Sequence, residues 1–182
     1  MVGRILDRVP GHTNIGRSRN FVHLVTGHTP GRINRNGTVR AKPLLAWALT
    51  GDSRRVDLLA PLLKPAKLKG YARFSMIGKD YPALVKHDEM STTDGLLLFP
   101  QDKSQRRKLD DFEGEAYTAA QVQVTVIGEA QMVDADTYLW NGERDAVSVE
   151  PWDLDTFIRE SLDNWIELFA GMELVGDADD CK

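Results

Sequence analysis

The sequence holds a single cysteine, Cys181, so no disulfide forms within the chain and a secreted disulfide scaffold is excluded. No apolar run approaches the roughly 18 to 20 residues that cross a bilayer as a helix. Acids are almost missing from residues 1–42, where seven Arg and Lys42 face Asp7 alone, a net +7. The remainder of the 182 residues carries −11, which argues against a phosphate-backbone surface there. Nucleophilic pairs are scarce too. Beyond residue 42 the chain has one histidine, His87, in the polar stretch Lys86-His87-Asp88-Glu89. Neither a Cys–His nor a Ser–His–Asp arrangement suggests itself. His12, His23 and His28 have no placeable partners for a metal site. No phosphate loop of P-loop or dinucleotide type occurs.

The chain is long enough for one domain with a sizeable core. Residues 1–42 contain Gly3, Gly11, Gly16, Gly27, Gly31 and Gly37 with Pro10 and Pro30, and no sustained apolar period. They read as a basic, mostly irregular extension, dispensable for folding, with Phe21–Thr26 as its short strand candidate. An Arg-rich, acid-poor start also fits an organelle-targeting segment; otherwise the expected location is the cytoplasm. The ordered domain is expected over residues 43–175, followed by an acidic tail over 176–182. The oligomeric state is left open by the sequence.

Within that domain, Leu44-Leu45-Ala46-Trp47-Ala48-Leu49 is a continuous apolar run that reads as a buried strand. Asp52 or Ser53 offers an N-cap, and Val56, Leu58, Leu59, Leu62 and Leu63 follow at helical spacing up to the kink set by Pro61. Ala66–Arg73 alternates as a strand, Tyr81–Val85 and Leu96–Phe99 are further strands, and Asp102–Asp111 is a polar helix. Ala119–Ile127 and Met132–Trp140 form a hairpin through Gly128-Glu129. Leu154, Phe157, Ile158, Leu162, Trp165, Ile166 and Phe169 mark one amphipathic helix over residues 152–172. The expected fold is α+β: a small, mixed or mainly antiparallel β-barrel with flanking helices.

The organising stretch is Leu109-Asp110-Asp111-Phe112-Glu113-Gly114-Glu115-Ala116-Tyr117, where a carboxylate-rich helix end feeds into the alternation of Val122, Val124 and Val126. Phe112 supplies an apolar anchor. Glu113, next to a glycine where the backbone bends, has the setting of a general base; the plainer reading is a helix C-terminus with solvated acids.

From Leu44 to Met172 the chain resembles the γ-glutamylcyclotransferase-like family, especially its plant avirulence-induced-gene branch. The resemblance rests on Gly70-Tyr71-Ala72-Arg73, Tyr81-Pro82-Ala83, Asp94-Gly95, Leu109-Asp110-Asp111-Phe112-Glu113 with Tyr117, Val122 and Val124, Tyr138-Leu139-Trp140, and Trp152-Asp153. It implies a small β-barrel with flanking helices and conversion of a γ-glutamyl amine or amide into 5-oxoproline and a free amine. It implies a small-molecule γ-glutamyl substrate, no cofactor and no metal, with no nucleic-acid or membrane partner. It places the catalytic acid/base on Glu113. The family's loop after the first strand, usually Tyr-Gly-Ser/Thr-Leu, falls on Trp47-Ala48-Leu49-Thr50. There Trp47 replaces the Tyr, and Ala48 puts a methyl where a Gly lets backbone N–H groups approach the substrate. Ala119 stands where the family often has Arg. Tyr138 is a substrate or Glu113 partner, or a core residue. Tyr81 binds substrate, or shapes an edge with Pro82. Asp110, Asp111 and Glu115 read as helix-end surface groups. The altered cradle leaves a second reading, a catalytically silent small-molecule-binding module on the same fold.

Overall fold

The computed structural model describes residues 42–129 and 132–172, together with the backbone of 20–23. Its strands are β1 (Asn20–His23), β2 (Leu63–Lys69), β3 (Tyr71–Met76), β4 (Pro82–Lys86), β5 (Thr92–Leu98), β6 (Tyr117–Val126), β7 (Met132–Trp140) and β8 (Val147–Pro151). Its helices are α1 (Lys42–Thr50), α2 (Lys103–Glu113), α3 (Leu154–Glu160) and α4 (Leu162–Ala170), with short 3-10 turns at Arg55–Leu58, Ala60–Leu62 and Arg144–Ala146. Five strands close a barrel in the order β1-β5-β2-β6-β7, and β4-β3-β8 make a separate sheet. Closure comes from β1, antiparallel to β5 and parallel to β7. The expected α+β barrel with flanking helices is therefore the architecture found.

Alternation along the strands sorts two cores. Leu97 joins Ala66, Leu68, Val122, Val124, Val126 and Ala135 on one face. Its neighbour Leu98 points the other way, to Leu45, Leu49, Leu59, Leu109 and Tyr138. A run such as Leu96–Leu98 is continuously apolar because both faces of β5 are covered. A third cluster, built on Leu154, Phe157 and Leu162, belongs to α3 and α4.

Several sequence expectations change. The run expected as a strand, Leu44–Leu49, is helix α1. Five consecutive residues of it, Leu45–Leu49, are buried, so no polar face marks its period. Its Leu and Ala are strong helix formers, and Pro43 falls in the first turn, where its missing N–H costs nothing. The following helix is reduced to 3-10 turns around Pro61, which lacks the N–H a longer helix needs. The expected strand over 66–73 is cut at Gly70, whose φ of +82° suits glycine and few other residues. That turn moves the chain from the barrel (β2) to the second sheet (β3). The last helix breaks at Ser161, yet Ser161 N–H still donates to Phe157 and Trp165 N–H to Ser161, so the hydrogen-bond line runs on. Strand β8 carries too short an alternation to be read.

Within the basic extension, where Phe21–Thr26 is the strand candidate, Asn20–His23 is a barrel strand with Phe21 opposite Leu98 and His23 opposite Leu96. The rest of the basic extension and the acidic tail lie outside the described residues. Among the described residues, no helix is long and apolar enough to cross a membrane.

Candidate functional site

Helix α2 begins at Asp102, whose side chain accepts the Gln105 N–H at 2.8 Å, a normal N-cap. It ends at Gly114, whose φ of +68° turns the chain toward β6 while its N–H donates to the Asp110 carbonyl. The last turn carries Asp110, Asp111 and Glu113 and no basic residue. Carboxylates there oppose the helix dipole. Such a local conflict makes this helix end a candidate functional site.

The helix presents two different sides at this end. Phe112 packs against Trp47 at 6.3 Å and Phe169 at 5.4 Å between ring centroids. Trp47 stacks on Phe169 at 4.7 Å. This aromatic group fixes the end of α2 against α1 and α4. Arg106, Asp110 and Glu113, spaced four and three apart, share another side. The Arg106 Nε donates to Asp110 Oδ1 at 2.9 Å, and its Nη1 donates to Asp136 Oδ2 at 2.6 Å. The Tyr138 hydroxyl donates to the same Asp110 oxygen at 2.5 Å. Asp136 and Tyr138 are two apart on β7 and so stand on one face of that strand.

The Tyr138 and Tyr117 phenols both feel the charge of Glu113. Burial pushes the Tyr138 phenol upward, and the Asp110 and Glu113 carboxylates push it further. Burial likewise raises the Tyr117 phenol, with Glu113 and then Tyr81 adding to it. Both phenols therefore stay protonated at neutral pH. The Tyr117 hydroxyl donates to the Pro82 carbonyl at 2.7 Å, tying β6 to the start of β4. Asp111 is raised by burial and by Asp110, partly offset by Arg107. Burial disfavours the Arg106 cation, but its bonds to Asp136 and Asp110 outweigh that and raise it.

Glu113 is half-buried, and its charge reaches Tyr117 and Tyr138, as that of Tyr81 reaches Tyr117. The Tyr81 ring also meets Trp165 edge-on at 6.0 Å. Residues Trp47–Thr50 do not form the expected turn. They lie in α1, where their N–H groups belong to the helical ladder, and Gly51 N–H donates back to Trp47. Trp47, Ala48 and Leu49 are buried. The Thr50 hydroxyl donates to the Ala46 carbonyl at 2.7 Å. With β1 at Asn20–His23, the segment after the first strand is residues 24–41, outside the described residues.

Sequence reasoning missed Arg106 and Asp136 and took Asp110 for a surface group. The i,i+4 spacing of Arg106 and Asp110 was a visible signal. Asp136 was a weaker one, an acid on the same strand face as Tyr138. Among the described residues, no group of three or more His, Cys, Asp or Glu is arranged to hold a metal ion. A groove of about 470 Å³ between Lys69, Glu89, Gln121 and Met132 is lined by none of the residues of this group.

Comparison with known proteins adds a family. The family model described as "Gamma-glutamyl cyclotransferase, AIG2-like" matches residues 37–154. Protein AIG2 B of Arabidopsis thaliana is 28% identical over 108 residues, 59% of this chain and 63% of that one. Protein AIG2 C of the same plant is 26% identical over 108 residues, 59% and 65% of the two chains. The chain thus spans just under two thirds of the length of these curated relatives. A solution structure of another Arabidopsis thaliana protein matches with a TM-score of 0.54 at 20% identity, covering 87% of this chain and 84% of that one. At that identity the match speaks for the fold alone.

Proposed function

The chain belongs to the gamma-glutamyl cyclotransferase, AIG2-like family, and on that premise we propose that it cyclises a γ-glutamyl amine or amide to 5-oxoproline with release of the amine. The observation that carries this reading is the setting of Glu113: a half-buried carboxylate at a glycine-terminated helix end, beside two phenols held neutral.

The chemistry asks little more of the protein. The substrate's α-amine attacks its own γ-carbonyl and closes a five-membered ring, so folding the substrate correctly supplies much of the rate. An ammonium is not a nucleophile. On the way to the lactam N–H the α-nitrogen sheds two protons, and the departing nitrogen gains two and leaves as an ammonium. Glu113 carries these protons as base and then acid. Tyr138 and Tyr117 already spend their hydroxyl protons on Asp110 and the Pro82 carbonyl. The Tyr117 oxygen retains acceptor capacity, suited to orienting the substrate's ammonium. Tyr81 lines the approach beside Tyr117. Trp47, Ala48, Leu49 and Thr50 take no part as a backbone cradle.

The test is incubation with a panel of γ-glutamyl amines and γ-glutamyl dipeptides, with chromatographic detection of 5-oxoproline. Release from at least one of them is expected. No release from any of them would instead favour the non-catalytic binding module.

A further inference from the structure

A γ-glutamyl substrate has two halves. The glutamyl half closes into the ring and is the same in every such compound, so discrimination among them rests on the amine half. In the reading above, the leaving nitrogen takes its proton from Glu113. The amine half therefore starts at Glu113 and extends over whatever borders it.

What borders it is aromatic. Phe112 precedes Glu113 in α2, and its ring lies 5.4 Å from that of Phe169 in α4. Phe169 lies 5.4 Å from Trp165 of the same helix, and Trp165 meets Tyr81 edge-on at 6.0 Å. Beyond burial, the charges that reach the Tyr117 phenol are those of Glu113 and then Tyr81. The rings thus run in a line from the residue before Glu113 to the ring that shares Tyr117 with it. Trp165 and Phe169 are four residues apart and lie on one side of α4. That side is not filled. Among Leu162–Ala170 only Leu162 is buried, whereas Trp165, Phe169, Tyr81 and Phe112 are half-buried. A helix serving packing alone gains most by covering its largest rings.

The line is also held in place. The Trp165 Nε1–H donates to Asp80 Oδ2 at 2.7 Å, and the Trp152 Nε1–H donates to the Asp80 carbonyl at 2.8 Å. Trp165 has thereby spent its one polar group, and what it offers a ligand is its ring. A surface fixed before binding loses little freedom on taking up a ligand. Helix α4 lies beyond residue 154, where the family match ends, so it can set what this chain selects without belonging to the matched core.

We propose that Trp165 and Phe169, with Tyr81 and Phe112 at either end, form the subsite for the leaving amine, and that this amine carries an aromatic ring. The proposal rests on the reading of the chain as a cyclase with Glu113 as its proton carrier. The bond from the γ-carbon to the amine nitrogen breaks as the α-nitrogen bonds that carbon, and the freed nitrogen leaves protonated. Its pendant ring packs edge-on or offset against Trp165 and Phe169, as those rings already pack with their neighbours. A short alkyl group leaves them uncovered.

The experiment compares kcat/KM for 5-oxoproline release by the full-length protein from γ-glutamylphenethylamine, γ-glutamylethylamine and γ-glutamylcadaverine. All are amides of primary alkylamines, so the bond broken is alike and the pendant group differs. The ring-bearing substrate is expected to exceed each of the others by about tenfold or more. In Trp165→Leu that ratio is expected to fall by at least about threefold. A ratio taken within one protein does not depend on the fraction folded, so a merely less stable variant keeps it. Glu167→Gln, on the exposed side of α4, keeps the wild-type ratio. Should Trp165→Leu fail to fold, the wild-type ratios decide alone. A smaller preference, a preference for the cationic cadaverine derivative, or a ratio unchanged in Trp165→Leu overturns the proposal, while 5-oxoproline release leaves the cyclase reading standing. If neither these compounds nor the wider panel yield 5-oxoproline, the same compounds are titrated calorimetrically. Tighter binding of the ring-bearing one, lost in Trp165→Leu, then retains the aromatic subsite and loses the cyclase reading. Equal binding overturns both.

Discussion

Helices α1 and α2 both lie against the barrel, and they are held in different proportions by apolar packing and by polar bonds. In α1 Leu45, Ala46, Trp47, Ala48 and Leu49 are all buried, while α2 buries Leu109 alone. Burying a large apolar side chain is worth about 1.5 to 3 kcal/mol whatever the pH. A bond involving a charge is worth about 1.5 to 3 kcal/mol when covered and less where water reaches it, as at the 46%-exposed Asp110 side chain. The first helix is therefore a fixed wall. The second is held by Leu109 and the Phe112 ring contacts together with groups whose charge depends on conditions, and it is the one that carries Glu113. The helix that carries Glu113 has its carboxylates where the helix dipole opposes them, and the barrel supplies Arg106's second partner and the Tyr138 hydroxyl beside them.

The largest expected effect is on the support that the two helices share. Deleting residues 1–41 removes β1, opens the barrel between β5 and β7, and is expected to cost about 5 kcal/mol or more, a large part of a domain's stability. Thermal unfolding of the truncated protein checks this; an unchanged midpoint would mean that β1 contributes nothing. Next comes Trp47→Ala in α1. It removes the stack on Phe169 and the contact with Phe112 and should cost about 3 to 5 kcal/mol, equally at low and high salt in denaturant titrations. Tyr138→Phe tests the other side of the contrast. It breaks the bond to Asp110 and should cost about 0.5 to 1.5 kcal/mol. No loss at all would show that the bond to Asp110 contributes nothing to holding α2.

The smallest effect concerns Asp111. Burial and Asp110 raise its pKa in the folded state, so the folded protein binds that proton more tightly than the unfolded chain. Its ionised form then works against folding at neutral pH, and this penalty fades as pH falls through the folded value and is gone below the unfolded value, about 3.9. Asp111→Asn should therefore stabilise the protein at pH 7 by less than about 0.5 kcal/mol, and the advantage should vanish below about pH 4. Thermal midpoints at the two pH values measure it.

How much of this was legible in the sequence follows the same contrast. Helix α2 was readable because it is polar, capped by Asp102 and closed by Gly114, and β7 because its alternation stands out between Met132 and Trp140. The setting of Glu113 came with them. Helix α1 was misread because complete burial erases the period that separates helix from strand. Strand β1 was legible as the short candidate Phe21–Thr26, but its place in the barrel was not, since four residues in a glycine-rich, basic stretch gain their meaning from partners at Leu96–Leu98 and Ala135–Asp136, more than seventy positions away. The Arg106–Asp136 pair joins a helix to a strand thirty residues on, and no local pattern announces it.

The role of Glu113 is tested most directly by kcat/KM for 5-oxoproline formation in the wild-type protein and in Glu113→Gln, on the best γ-glutamyl substrate of the panel. Loss of a positioned proton carrier should lower kcat/KM by about 10² to 10⁴, with the thermal midpoint close to that of the wild type. Equal kcat/KM in the two proteins would contradict it.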